Sequence, residues 1–254
     1  MTSQSSNGSL STTIENKIAT LEFGHPASNS FPSDLLERLK NELNDLSNNS
    51  EVSVIVLKSS GSGAFCAGAS FDELLAVSNQ EEATKFFSGF ANVLNAMRNC
   101  SKIIIGRIHG KAVGGGVGII AACDYALATT GSSIKLSELA IGIGPFVIEP
   151  AVSRKIGKSA MAEMTLDTDW KSAAWANQKG LYAKIFETSA ELDIEITAFA
   201  NKLASYNPEA LVEMKKVFWE GTENWGTLLY ERAGISGKLV LSDFSKKALK
   251  QLKK

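Results

Sequence analysis

The sequence holds few of the residues that build metal centres, disulfides or membrane spans. Its 254 residues include two histidines and three cysteines; Cys66, Cys100 and Cys123 have neither metal-ligand spacing nor the even number of a disulfide framework. No uninterrupted apolar run reaches the length of about 18 residues that a transmembrane helix needs. With 26 basic and 27 acidic residues the net charge is −1, so electrostatics favours neither nucleic acid nor a membrane surface. We therefore expect no bound metal, no nucleic acid partner and no membrane partner.

The first dozen residues, MTSQSSNGSLST, are polar and lack the apolar core of a secretory signal. Low hydrophobicity is typical of disordered segments, so residues 1–12 are predicted to form a flexible tail. A reduced cytoplasm is the simplest compartment for such a chain. The whole sequence is 44% hydrophobic, which is enough to bury one large core together with a helical appendage.

Short apolar strands alternate with helical patterns through the first part of the chain. The apolar, β-branched runs at 17–23, 52–58 and 103–108 predict strands. Between the first two runs lies a segment with leucines at helical spacing, namely Leu35, Leu36, Leu39, Leu43 and Leu46. This alternation predicts an α/β core over residues 13–190.

The pattern changes near residue 150. Helical periodicity dominates from residue 151 onwards, and only residues 183–186 read as a further strand. Residues 191–254 are therefore predicted to form a C-terminal helical region. Its basic end, KKALKQLKK, is typical of a solvated helix face.

Two glycine-rich segments follow buried strands. Residues 60–70 read SGSGAFCAGAS, and residues 110–118 read GKAVGGGVG. The second segment lacks the Lys-Ser/Thr of a P-loop and the GxGxxG spacing of dinucleotide folds. One interpretation is that its glycines only allow a helix to pack closely on a sheet. The other is that both loops direct backbone N–H groups at one oxygen, as in an oxyanion hole for a thioester or ester carbonyl.

Three segments in register connect the second interpretation to a known family. Residues 54–74, 107–129 and 135–146 resemble consecutive motifs of the crotonase, or enoyl-CoA hydratase/isomerase, superfamily in both order and spacing. The resemblance implies an α/β fold with a spiral core of repeated ββα units and a C-terminal helical region that serves trimerisation. It also implies a homotrimer or a dimer of trimers. The implied substrate is an acyl-CoA thioester, and no cofactor is expected because coenzyme A is part of the substrate.

The resemblance also assigns roles to residues of the two glycine loops. The oxyanion donors are expected to be the N–H groups of Ala67 and Gly115, and the catalytic base is expected to be Glu138. The loop that starts at Ala67 is expected to line the adenine and pantetheine of coenzyme A. The expected substrate-binding residues are Phe65, Ala67, Gly68, Ala69, Ser70, Gly114, Gly115 and Pro145. Without the resemblance, Glu138 is interpreted as an acid at a helix N-terminus.

One departure from the family pattern bears on the reaction. Classical hydratases carry a glutamate two residues after the glycine triplet, where this chain has Gly118. A single carboxylate, Glu138, favours a proton shuttle that moves the double bond of a 3-enoyl-CoA, because hydration needs a second group to hold water or deliver a proton. An apolar pocket is expected to raise the pKa of Glu138. The segment GIGPF at residues 142–146 also resembles the isomerases of the superfamily.

Two other functions remain open at this point. Glu149 lies in the loop after GIGPF and could supply the second carboxylate of a hydratase or of another crotonase-type reaction; the alternative is a solvated loop acid. Because the family's acid is absent at Gly118, the chain could also be a degenerate relative that binds acyl-CoA without catalysis.

A few further polar residues are weaker candidates. His25, His109 and Cys66 are not part of a Ser/His/Asp or Cys/His constellation that would activate a nucleophile. In the family the C-terminal helices approach coenzyme A, so Lys250 or Lys253 is a candidate for contact with one of its phosphates.

Overall fold

Two β-sheets organise residues 7–252, the range that the computed structural model describes. The strands are β1 (Ser9–Glu15), β2 (Ile18–Gly24), β3 (Val54–Ser59), β4 (Ile103–Ile108), β5 (Ala112–Val113), β6 (Tyr125–Thr129), β7 (Ser133–Lys135), β8 (Lys171–Ser172) and β9 (Lys184–Phe186). The larger sheet has the order β1-β2-β3-β4-β6-β9, and every pair in it is parallel except β1 with β2. The smaller sheet has the order β5-β7-β8.

The central strands are those that the apolar runs predicted. All six residues of β4 are buried, as are five of the six in β3. Continuous apolar strands of this kind occur where both faces of a parallel sheet are covered. The prediction of an α/β core is confirmed, with β3 beginning two residues later than predicted.

The first hairpin corrects the predicted N-terminal tail. Residues Ser9–Glu15 pair with Ile18–Gly24 in antiparallel register. The two connecting residues, Asn16 and Lys17, have φ values of 50° and 65°, as a tight hairpin turn of the I′ type requires. Residues 9–12 are therefore part of a strand, although their polarity suggested a tail. Residues 1–6 of the predicted tail lie outside the described range.

Ten helices surround the sheets within residues 7–252. They are α1 (Ser33–Asn48), α2 (Phe71–Ala76), α3 (Gln80–Asn99), α4 (Gly115–Ala122), α5 (Glu149–Leu166), α6 (Ala173–Gln178), α7 (Ser189–Ala204), α8 (Pro208–Phe218), α9 (Trp225–Val240) and α10 (Asp243–Leu252). All five leucines of the predicted stripe on α1 are buried. None of these helices is long and apolar enough to cross a membrane.

The C-terminal helices divide between the sheet and the site. Helix α7 packs its buried Leu192, Ile196 and Ala200 against β3, β4 and β6, so the α/β core extends past residue 190 to the end of α7. Helix α9 runs antiparallel along α3, and α10 contacts the short turn at Leu139–Ile141. The last helix therefore lies over the loop that follows β7, and α9 packs between it and α3.

Candidate active site

A cavity of about 440 Å³ lies where the two glycine loops meet. Its walls come from residues 67–69, the start of α4, residues 137–148, α3, and the two last helices. This volume is within the range of small-molecule sites. A larger cavity of about 1310 Å³ lies between α5, α7, α8 and α9 and contains neither glycine loop. The predicted catalytic residues therefore identify the smaller cavity as the site.

The loop at residues 65–70 leaves one backbone N–H free. Its other amides are all used: Phe65 and Cys66 donate to Lys111 O, Ala67 donates to Ser28 O at 3.0 Å, Gly68 donates to Cys66 Sγ, and Ser70 donates to Phe31 O. Phe31 pairs with Gly68 O and Ser70 N–H as in a parallel bridge opposite Ala69. In such a bridge the middle residue directs its own N–H away from the partner. The Ala69 amide therefore has no acceptor among residues 7–252, and Ala69 lines the cavity.

This pattern contradicts the predicted role of Ala67. Its N–H is already bonded to Ser28 O, so it is not available to a substrate oxygen, although Ala67 does line the cavity. The free amide belongs to Ala69. The sequence could not separate these two alanines, because the choice depends on Ser28 and Phe31 from a distant loop.

The second free amide lies at the start of α4. Gly114 has a φ of 52° and donates its N–H to Lys135 O, which aims the first turn of the helix at the cavity. The N–H of Gly115, the first helical residue, has no intrahelical acceptor. A Cβ built on Gly68 would lie 3.8 Å from the Gly115 nitrogen, so the two loops are adjacent. The Cα of Gly115 faces Phe90, whose Cε1 atom would lie 2.2 Å from an added Cβ.

Glu138 lies directly beside these amides. A Cβ on Gly114 would be 2.7 Å from Glu138 Oε1, so glycine is needed there for space as well as for its positive φ. The other carboxylate oxygen, Oε2, is buried and has no hydrogen-bond partner among the described residues. Burial raises the pKa of Glu138 to about 7, against a smaller opposing effect of the backbone N–H groups of Glu138 and Ser137. The direction is the one predicted from an apolar pocket, and it suits a base at neutral pH.

An apolar side chain occupies the place of a second acid. Gly118 lies on the buried side of α4, and a Cβ there would be 2.4 Å from Ile148 Cγ2. Ile148 lines the cavity, where Glu138 is the one carboxylate among the described lining residues. The space that a longer side chain at position 118 would need is therefore filled.

Glu149 is remote from this chemistry. It lies at the start of α5 and lines the larger cavity. Burial acts to raise the pKa of Glu149, but hydrogen bonds from Arg232, Ser153 and Lys158 lower this pKa to about 2. An ion-paired carboxylate in another cavity does not serve as the second acid of this site, so the structure contradicts that hypothesis.

The other predicted binding residues divide into two groups. Gly68, Gly114 and Pro145 line the cavity together with Ala69 and Gly115. Phe65 does not: it is fully buried, and its ring packs edge-on against Phe23 with 5.4 Å between centroids. Ser70 does not either, because its hydroxyl accepts the Glu73 N–H at the start of α2. Neither residue forms part of the cavity wall, because Phe65 packs into the core and Ser70 caps α2.

The weaker candidates do not enter the cavity wall. Cys66 is buried, and burial raises the pKa of its thiol to about 12, so it remains protonated and unreactive. Neither His25 nor His109 is among the lining residues. Lys250 lies on α10 in a shallow surface depression that shares Gln251 with the rim of the cavity, whereas Lys253 lies outside the described range.

The sequence interpretation missed most of the apolar wall and one polar group in it. The aromatic residues Phe86, Phe87 and Phe90 project from α3, and Ser236 projects from α9. The three phenylalanines at positions i, i+1 and i+4 were a usable signal for a cavity-lining helix. Nothing in the sequence distinguished Ser236 from a surface serine.

Comparison with known proteins places the chain among acyl-CoA enzymes. A family model described as enoyl-CoA hydratase/isomerase matches residues 13–249. The peroxisomal Delta(3,5)-Delta(2,4)-dienoyl-CoA isomerase of Arabidopsis thaliana is 29% identical over 210 residues, covering 77% of this chain and 74% of the relative. The short-chain-enoyl-CoA hydratase of Clostridium acetobutylicum is also 29% identical, over 82% of this chain and 80% of its own.

The fold agrees with solved structures of the same family. A putative enoyl-CoA hydratase from Mycobacterium avium paratuberculosis superposes with a TM-score of 0.87 at 25% identity, over 96% of each chain. The predicted crotonase-like α/β fold with a helical C-terminus is thereby confirmed. The extent of the family match and the shared fold show that this chain belongs to the enoyl-CoA hydratase/isomerase, or crotonase, superfamily of enzymes.

Proposed function

We propose that the enzyme is an enoyl-CoA isomerase that converts a 3-enoyl-CoA to the trans-2-enoyl-CoA. The observation that carries this proposal is that Glu138 is the one carboxylate among the described residues that line the cavity. Glu138 has a free, buried oxygen and a pKa near neutrality, while Ile148 fills the space over Gly118. One base is sufficient to move a proton between two carbons of the same chain.

The free amides define where the thioester lies. Its oxygen accepts hydrogen bonds from the N–H groups of Ala69 and Gly115, which belong to the two adjacent glycine loops and have no acceptor among the described residues. Glu138 Oε2 removes a proton from C2, and the electron pair delocalises into a dienolate whose oxygen carries the charge. Preorganised donors stabilise such an oxyanion more than they stabilise the ground-state carbonyl.

The second half of the reaction uses the same carboxyl group. Protonated Glu138 returns its proton to C4, the double bond then lies between C2 and C3, and the carboxylate is regenerated. Atoms and charge balance without water or any co-reactant. A base whose pKa is about 7 is suited to both halves, because neither its ionised nor its protonated form is strongly disfavoured.

Hydration is the alternative that the relatives keep open, since one is a dienoyl-CoA isomerase and another a hydratase. Addition of water to a 2-enoyl-CoA needs a group to hold the water opposite the double bond. The side chain nearest Gly118 is that of Ile148, which offers no hydrogen bond. This arrangement supports isomerisation over hydration.

A comparison of two substrates tests the proposal. A 3-enoyl-CoA should gain the absorbance of a conjugated thioester, and a trans-2-enoyl-CoA of the same chain length should lose it more slowly or not at all. Faster hydration than isomerisation would overturn the proposed reaction. Binding of both thioesters with turnover of neither, over a range of chain lengths, would favour the non-catalytic alternative.

The Gly118 position offers a gain-of-function test. Gly118→Glu alone should damage the fold, because its Cβ would lie 2.4 Å from Ile148 Cγ2 and overpacking costs about 1–3 kcal/mol. Combined with Ile148→Ala, the glutamate has space in the cavity and should confer measurable hydratase activity. Ile148→Ala alone is the control. Equal hydration rates in Ile148→Ala and in the double variant would show that the missing acid does not decide the reaction.

The homotrimer, or dimer of trimers, that the family resemblance implies is a further part of the proposal, as is a cytoplasmic location. The exposed apolar side chains on α8, Met214, Val217 and Phe218, support contact between copies of the chain. Light scattering at several protein concentrations should give a mass of three or six chains, and a persistent monomer would contradict this.

A further inference from the structure

Ser236 contributes to the cavity wall a buried hydroxyl group that the proposed reaction does not use. This residue on α9 is fully buried and lines the cavity, and its Oγ atom makes no hydrogen bond to any residue in the described range. Buried hydroxyl groups are nearly always paired, because an unpaired one loses its hydration without compensation. A ligand atom is therefore the partner to look for.

The packing of α9 on α3 places Ser236 at the end of the cavity away from the reacting carbons. Gln80 Nε2 donates to Gly234 O, and a Cβ on Gly237 would lie 3.0 Å from the Thr84 nitrogen. At the catalytic end it is Phe90 that contacts Gly115. The six residues from Thr84 to Phe90 correspond to roughly 9 Å along the helix. A ligand that extends from Gly115 along α3 would thus bring its distal part towards Ser236.

The surroundings of Ser236 define the kind of group that it can bind. The nearby wall is apolar: Phe86, Phe87 and Ile143 line the cavity, and Val240, one turn further along α9, belongs to the same cluster as Ile143. The one cation among the described lining residues is Lys135, whose carbonyl bonds to Gly114 at the catalytic end. An anionic group would have no counter-charge beside Ser236, whereas a hydrocarbon chain with one neutral oxygen would fit.

We propose that Ser236 binds a neutral oxygen on the distal part of the acyl chain. The preferred acyl group then carries a hydroxyl or keto oxygen several carbons beyond the double bond, and Ser236 is a specificity-determining residue. The position of the thioester in this inference rests on the proposed isomerase mechanism. The recognition itself can be measured with saturated acyl-CoAs, which undergo neither isomerisation nor hydration.

Calorimetric titration with matched pairs of saturated acyl-CoAs tests the inference. Each pair has one chain length and differs only by a hydroxyl group, which is placed at successive positions beyond C5. The wild-type protein should bind one hydroxylated member roughly tenfold more tightly than its plain partner, the size expected of one neutral hydrogen bond. Ser236→Ala should abolish this preference and leave the affinity for the plain chain unchanged.

Ser245→Ala is the matched control. Ser245 is equally buried, but its hydroxyl is hydrogen-bonded to that of Ser242, the residue before α10, and it is not among the lining residues, so this variant should keep the preference. The inference is overturned if no hydroxylated chain is preferred by the wild type, or if Ser236→Ala weakens binding of both members equally. Because no turnover is involved, failure of the isomerase proposal would leave these results interpretable.

Discussion

Glu138→Gln should lower kcat/KM for a 3-enoyl-CoA by about 10²–10⁴, the contribution of a positioned general base. The amide has the shape of the carboxyl group but cannot accept the C2 proton. Affinity for a saturated acyl-CoA should change little, because the proposed oxyanion donors, Ala69 and Gly115, are backbone amides that the substitution leaves in place. Rate measurements of isomerisation and calorimetric measurements of acyl-CoA binding separate the effect on catalysis from the effect on affinity.

Glu149→Gln is the matched control for that result. Its carboxylate is half-buried, but it pairs with Arg232 and Lys158 and lines the larger cavity. We expect kcat to stay within a few fold of the wild type. A large loss in the Glu149 variant combined with wild-type isomerisation in the Glu138 variant would show that the base has been assigned to the wrong carboxylate.

Loss of the Gly115 N–H should be the second large effect, and it can be isolated with a pair of variants. Any Cβ at position 115 collides with Phe90, so each variant also carries Phe90→Leu. Gly115→Ala keeps the amide hydrogen, and Gly115→Pro removes it; proline is well tolerated at the first position of a helix. One oxyanion donor contributes about 2.7–4 kcal/mol, so the proline variant should be about 10²–10³ slower than the alanine variant.

The outcome of that pair depends on the fold being retained in both proteins. Thermal unfolding provides the check, because it should not distinguish the two variants by much. Equal isomerisation rates in the proline and alanine variants would mean that Gly115 only permits close packing. The interpretation of the glycine triplet as a donor loop would then have to be abandoned.

The parts of the structure that depend on periodic patterns could be predicted from the sequence. The leucine stripe of α1 and the apolar runs of β3 and β4 are buried as expected, because one pattern repeats over many residues and each residue adds to the same signal. Of the first hairpin, the sequence predicted β2 but not β1. The outer strand of this hairpin is polar and mostly exposed, so it has no apolar pattern. The turn at Asn16 and Lys17 needs positive φ values, which the sequence does not predict.

The candidate site was predictable where a single motif determines it. Gly115 lies within the glycine triplet and Glu138 lies within the matched segment 135–146, and the structure brings them together as expected. The choice between Ala67 and Ala69 was not predictable, because it depends on hydrogen bonds to Ser28 and Phe31. Contacts between distant segments determine which amide of the loop stays free, and the local sequence does not predict those contacts.

The same limit explains why Ile148 was overlooked. The absence of an acid at Gly118 is visible in the sequence, but the side chain that fills the resulting space comes from thirty residues further along the chain. Only the packing of α5 against α4 shows that the position is closed. Because Ile148 occupies the space beside Gly118, the structure supports a reaction with one carboxylate more strongly than the absence of an acid in the sequence does.

The pH dependence of kcat/KM for a 3-enoyl-CoA tests the central claim most directly. This parameter reports the ionisation of the free enzyme. Glu138 must be ionised to accept the C2 proton, and burial raises its pKa to about 7, so activity should rise with pH through about 7 and fall tenfold per pH unit below it. The account predicts this limb in the wild type and in Glu149→Gln, and predicts its absence from the residual activity of Glu138→Gln. A limb near the pKa of an exposed carboxylate, about 4.3, or an unchanged limb in Glu138→Gln, would contradict it.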